Sequence, residues 1–173
     1  MRRPAASRPS RRAPARRGKA AAAPADAAAS LALTPAVRLR MPSRRDAVGP
    51  TIDRILEAVA PAGLDGDRLT DLAVALSEAL SNAAVHGHGL DPRRRVGVAV
   101  GVAPGCVVID VSDSGEGFDA RKVSDPTEPE RQLAPSGRGV FLMRRLVDEV
   151  SYNAAGNRVR LTVRQHPSGN GQR

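Results

Sequence analysis

The stretch LSEALSNAAVHGHG, Leu76 to Gly89, places Glu78 and Asn82 one helical turn apart in a run otherwise rich in alanine and leucine. A carboxylate can take a proton from a hydroxyl, and a carboxamide oxygen is a neutral, hard donor suited to magnesium. At 100° per residue, Leu69, Leu72, Ala73, Leu76, Leu80 and Ala83 form one apolar stripe, with Glu78 and Asn82 together on the opposite side. The pair therefore meets either solvent or a ligand. A solvated face is the commoner fate of a carboxylate in that position.

Two further groups of residues widen the choice. In RVGVAVGVAPGCVVIDVSDSG, Val107, Ile109, Val111 and Asp113 share parity, so Asp113 points to the side of the buried aliphatics and needs donors there. Gly115 and Gly117 follow immediately. Further on, SGRGVFLMRRLVDEV carries Gly137 and Gly139 at the start of a run with Leu142, Met143, Leu146, Val147 and Val150 at helical spacing. Either glycine pair alone reads equally as a tight turn or a close helix crossing. Neither GxGxxG nor GxxxxGK[ST] is present, which excludes the Rossmann and P-loop patterns.

Their joint order fits one ligand, a nucleotide. An inward Asp accepts a hydrogen bond from an exocyclic amine such as adenine's, and neighbouring glycines let the base approach the backbone. A glycine-opened helix offers free N–H groups to phosphates. Asn82 can then hold a magnesium ion on those phosphates, with Glu78 near the terminal one.

The elements that position these residues are legible as well. AVRLRM, residues 36 to 41, alternates as a half-exposed first strand would, and Ile52, Ile55, Leu56 and Val59 give a first helix that Pro61 and Gly63 stop. A long helix starting at Asp67 or nearby carries Glu78 and Asn82. Val96, Val98, Val100 and Val102 lead into a hairpin turned by Pro104-Gly105, and residues 119 to 136 read as a long loop. VSYN and NRVRLTVRQ give a terminal hairpin.

Composition sets the boundaries. Residues 1 to 30 hold Arg2, Arg3, Arg8, Arg11, Arg12, Arg16, Arg17 and Lys19 against Asp26, which is most of the formal net charge of +9. With no aromatic and no branched aliphatic residue in that span, they are expected to form a disordered basic tail. Pro24 and Asp26 interrupt the alanine run that an export signal would need, so a signal peptide is not the expectation. Clustered arginines do offer nucleic-acid phosphates a sequence-independent grip. Residues 166 to 173 read as a short polar tail. The single cysteine, Cys106, rules out an internal disulfide, and no run approaches the roughly 20 apolar residues of a membrane span, so the cytoplasm is the expected location. His86, His88 and His166 do not make a metal set by spacing.

EALSNAAVHG resembles the N box of the GHKL ATPase superfamily, DSGEGF its first glycine box and SGRGVFLMRRLVDEV its second. The last is especially similar to the bacterial anti-sigma factor serine/threonine-protein kinases, and the resemblance spans about residues 36 to 165. It implies a histidine kinase-like ATPase domain with the Bergerat fold: an α+β two-layer sandwich, its mixed, mainly antiparallel sheet covered by helices on one face.

The resemblance also implies roles. Glu78 would be the catalytic base, Asn82 would hold Mg²⁺, and Asp113 would bind the adenine amine of ATP. His86, Gly115, Gly117, Gly137, Arg138 and Gly139 would complete the ATP site. Such kinases phosphorylate a serine on an anti-anti-sigma (STAS-type) antagonist and sequester a sigma factor, and they act as dimers. Gly156-Asn157 departs from the family's usual Gly-Thr pair. Histidine kinase, gyrase-like and heat-shock relatives carry further domains that a chain of this length is not expected to hold. A nucleotide-binding partner module without kinase activity is the rival expectation.

Overall fold

Among the described residues, five strands and three helices follow one another: β1 (Thr34–Pro42), α1 (Val48–Val59), α2 (Gly66–Asn82), β2 (Arg95–Ala103), β3 (Cys106–Ser112), α3 (Pro135–Leu146), β4 (Glu149–Tyr152) and β5 (Arg158–Arg164). The computed structural model describes residues 33–118 and 135–166. The strands form one sheet in the order β1-β2-β3-β5-β4, and every pairing is antiparallel. β1 and β4 are therefore the edges. The expected loop at 119–136 lies outside the described residues except for its last two positions, which already belong to α3.

Alternation decides which face is buried. Val96, Val98, Val100 and Val102 of β2, Val107, Ile109 and Val111 of β3, and Val159, Leu161 and Val163 of β5 all join the main core. Residues of the other parity, Arg38, Arg40, Asp110 and Arg160, stand on the opposite face, where Arg160 and Asp110 pair at 2.9 Å. Pro104-Gly105 closes the β2–β3 hairpin, with Gly105 at φ 66°, a conformation glycine adopts without a Cβ penalty.

Both long helices are held by local chemistry at their ends. α1 buries Val48, Thr51, Ile55 and Val59 at helical spacing; Pro61 lies within a short 3-10 turn, Ala60–Ala62, and Gly63, at φ 68°, ends it. Asp65 caps α2 by accepting from the Arg68 N–H at 2.8 Å. The buried residues of α2 are Leu72, Ala75, Leu76, Ala79 and Leu80, a stripe displaced from the expected one toward the Ala75/Ala79 side. The cause is α3, which packs against α2 while the sheet takes the other side. After Asn82 the coil widens into a π turn over Ala83–Gly87, which re-aims the residues that follow.

The far end of the layer is tied by Arg68. Its guanidinium donates to the carbonyls of Arg164 (3.1 Å) and Leu146 (3.3 Å) and to the Asp148 carboxylate. His166 lies 2.8 Å from the same carboxylate. No described helix is long and apolar enough to cross a membrane.

Candidate nucleotide site

A cavity of about 510 Å³ opens between α2, the end of β3 and the β4–β5 turn. Its polar lining includes Asn82, His86, Asp113 and Asn157, and its apolar lining includes Phe118 and Tyr152. The two rings meet edge to face with centroids 5.0 Å apart. Burial pushes the Tyr152 phenol up to about 12, so it stays neutral. A cavity of this size, mostly apolar with a few convergent polar groups, is the usual form of a small-molecule site.

Asp113 lies one residue beyond β3, and the parity reading holds: it lines the cavity with Val111. Its backbone N–H donates to the Asn157 carbonyl at 3.0 Å. Its Oδ1 accepts from the Gly115 N–H at 2.8 Å, a tight turn of the chain around its own carboxylate. The other carboxylate oxygen has no protein donor among the described residues. Both glycines are required by crowding. A Cβ on Gly115 would lie 2.4 Å from the Gly87 carbonyl oxygen, and one on Gly117, at φ 74°, would meet the Ala155 carbonyl oxygen at 1.9 Å. DSGEGF is thus pressed against both the π turn and the β4–β5 turn.

Glu78 and Asn82 do not face open solvent. A Cβ built on Gly139 would stand 2.5 Å from Glu78 Oε2 and 3.4 Å from Asn82 Nδ2, so the first turns of α3 lie directly over the pair. Asn82 reaches the cavity; Glu78 sits beside it, outside the lining. Of the second glycine box, Gly137 and Gly139 fall within the first turns of α3 rather than before it, and Arg138 between them is exposed. The Asn82 carboxamide makes no hydrogen bond to another described residue, and its oxygen has the chemistry of a magnesium ligand.

The contacts of several residues in this arrangement escape a reading of the sequence. Gly87 is required because a Cβ there would come within 2.3 Å of Asp113 Cγ. Asn157 Nδ2 donates to the Gly115 carbonyl at 3.3 Å, so the departure from Gly-Thr replaces a hydroxyl by an amide that ties the β4–β5 turn to the glycine loop. Arg94 holds the Ser114 carbonyl at 3.0 Å. His88 is buried between Ser43 and Ser114. The only local signal for the first of these was the clustering in HGHG; the others become neighbours through chain folding alone.

Residues 41–163 match the family model of the histidine kinase-like ATPase domain. The chain is similar to the serine-protein kinase RsbW of Bacillus subtilis (strain 168), 33% identical over 134 residues that cover 73% of this chain and 83% of that protein. It is similar also to the anti-sigma F factor of Geobacillus stearothermophilus, 35% identical over 111 residues, 61% of this chain and 75% of that one. Among solved structures, the RsbU and RsbW domains of a Mycobacterium tuberculosis protein share the fold at a TM-score of 0.53 and 24% identity, covering 76% of this chain and 32% of that chain. The chain belongs to the histidine kinase-like ATPase domain family.

Proposed function

We propose that this protein is an ATP-dependent protein serine kinase and an anti-sigma factor, which phosphorylates an anti-anti-sigma antagonist of the STAS type and sequesters a sigma factor. The observation that carries the reading is the meeting of Asp113 and Asn82 in one cavity of about 510 Å³, with Glu78 one helical turn from Asn82 under the start of α3. The relatives named serine-protein kinase and anti-sigma F factor support the two activities. The family is an ATPase domain, and ATP is its nucleotide.

In this reading the free oxygen of Asp113 accepts from the adenine amine, and the Phe118–Tyr152 pair flanks the base. Asn82 is the residue that would hold Mg²⁺, which neutralises phosphate charge when bound. Glu78 takes the proton of the substrate serine hydroxyl; the serine oxygen forms a new bond to the γ-phosphorus as the bond to the bridging oxygen breaks, and ADP leaves. His86 and Gly117 line the same cavity, Gly115 and Gly139 allow the close approaches, and Gly137 and Arg138, in the first turns of α3, would meet the phosphates. The edge strand β1 offers its unpaired side to a second copy.

One observation favours the rival, a nucleotide-binding partner module without kinase activity: Glu78 lies outside the cavity lining, against Gly139. Incubation of the purified chain with γ-labelled ATP and STAS-type domains separates the two. Label on a serine of the antagonist is the expected result. ATP binding and sigma-factor capture without transfer would establish the rival.

A further inference from the structure

His88 is 4% exposed and sits between two parts of the chain distant in sequence. Its Nδ1 lies 2.6 Å from Ser43 Oγ, just beyond β1, and its Nε2 lies 2.9 Å from the backbone nitrogen of Ser114. A backbone N–H can only donate, so Nε2 must be the acceptor and Nδ1 carries the proton that goes to Ser43. The Ser114 hydroxyl, 3.1 Å from Nε2, can donate to the same lone pair. The imidazole therefore has a defined tautomer and must be neutral.

Ser114 is the residue between Asp113 and Gly115. Its N–H is held by His88 and its carbonyl by the Arg94 guanidinium, while the Gly115 N–H closes back on Asp113 Oδ1. The side chain of Asp113 takes its direction from this turn. A proton on Nε2 would set two N–H groups against each other, and the turn would have to move away from the ring. We propose that His88 is a positioning residue for the nucleotide site: its neutral imidazole holds the Ser114 turn that aims Asp113 into the cavity, and protonation releases that turn and weakens nucleotide binding.

The charged groups that face the ring come from two loops. Burial and the nearby Arg94 cation disfavour the imidazolium, whereas Asp113 and Asp91 favour it; the net result lies below the ordinary histidine value of 6.5. The sign follows. A depressed value means that the held turn is fully present at neutral pH and above, and is lost as pH falls from about 6.5 through the lowered value. Ser43, from the β1–α1 connection, contributes no charge.

The inference rests on the nucleotide reading of the cavity, and the experiment keeps the two apart. ADP affinity is measured by calorimetry between about pH 7.5 and about pH 5 for the wild type, His88→Gln and His88→Phe. Gln offers a non-titrating oxygen near the place of Nε2; Phe keeps the ring shape and removes the acceptor. The expected result is a wild-type affinity that falls about tenfold more on acidification than that of His88→Gln, with His88→Phe weaker by about tenfold at neutral pH. His86 is common to all three proteins, so its contribution cancels. Parallel wild-type and His88→Gln curves would overturn the role of His88 alone, whereas a wild type that binds no ADP at neutral pH would overturn the nucleotide reading and the role with it. Should the variants not fold, ¹⁵N resonances of the wild type decide: an unprotonated Nε2 at neutral pH and a Ser114 amide that titrates with the ring support the proposal, and a protonated Nε2 or an indifferent Ser114 amide sinks it.

Discussion

Gly87 and the carboxyl group of Asp113 compete for one space: a Cβ on Gly87 would lie 2.3 Å from Asp113 Cγ and 2.4 Å from its Oδ1. The end of the π turn thus forms a wall against which the carboxylate proposed to read adenine rests. Gly87→Ala is expected to displace that carboxylate while leaving the main core untouched. ADP affinity should fall about 10- to 100-fold, the range of one charge-assisted hydrogen bond. Calorimetry with unchanged affinity would remove Asp113 from the contact with the base.

Asp113→Asn tests the same contact from the other side. The oxygen that accepts from Gly115 can be retained, but the second position becomes an NH₂ group and opposes the adenine amine donor to donor. The fold should survive, and ADP binding should weaken by about 1.5 to 3 kcal/mol. Thermal unfolding measured beside the binding curve separates a lost contact from a lost fold.

Glu78→Gln bears on chemistry rather than binding. Phosphotransfer to the antagonist should drop by about 10²- to 10⁴-fold with ADP affinity unchanged, because the carboxylate lies beside the cavity and not in its lining. Gly139→Ala should act in the same direction, since its methyl group would reach within 2.5 Å of Glu78 Oε2. Kinase activity that persists in both variants would end the assignment of Glu78 as the base.

Arg68→Ala should destabilise the domain by about 2 to 4 kcal/mol, because it leaves two carbonyls and the Asp148 carboxylate without their cation. Burial pushes the Asp148 carboxyl up, but the Arg164 N–H, the Arg68 cation and His166 more than offset it, and the net shift is downward from 3.8. Its contribution to stability is therefore full above that value and lost as pH falls through the lowered one. Acid titration of Tm in the wild type and the variant should show a shallower loss in Arg68→Ala.

Removal of residues 1 to 30 should leave ADP affinity unchanged, since the segment precedes every box and matches no part of the family model. Any nucleic-acid binding should disappear with it and, in the full chain, fall steeply as salt rises. A gel-shift series over salt concentration reads both.

The sequence by itself determined those features whose cause is local. Ile52 and Ile55 repeat at helical spacing, Val96 to Val102 alternate, Pro104-Gly105 forces a reversal, and Asp113 continues the inward parity of Val107, Ile109 and Val111; each follows from backbone geometry over a few residues. The three boxes were legible for the same reason, as short runs of fixed spacing. Tertiary structure alone decided what those runs meet. Periodicity placed Glu78 and Asn82 opposite the apolar stripe, but only the packing of α3 brought Gly139 against them and covered that polar helix face. His88 gave no local sign of its role, because its partners are 45 and 26 residues away along the chain. Asn157 likewise acquires its contact with Gly115 across 42 residues, through the antiparallel pairing of β3 with β5. A local pattern fixes the direction in which a side chain points; which distant group stands there is set by how the elements pack.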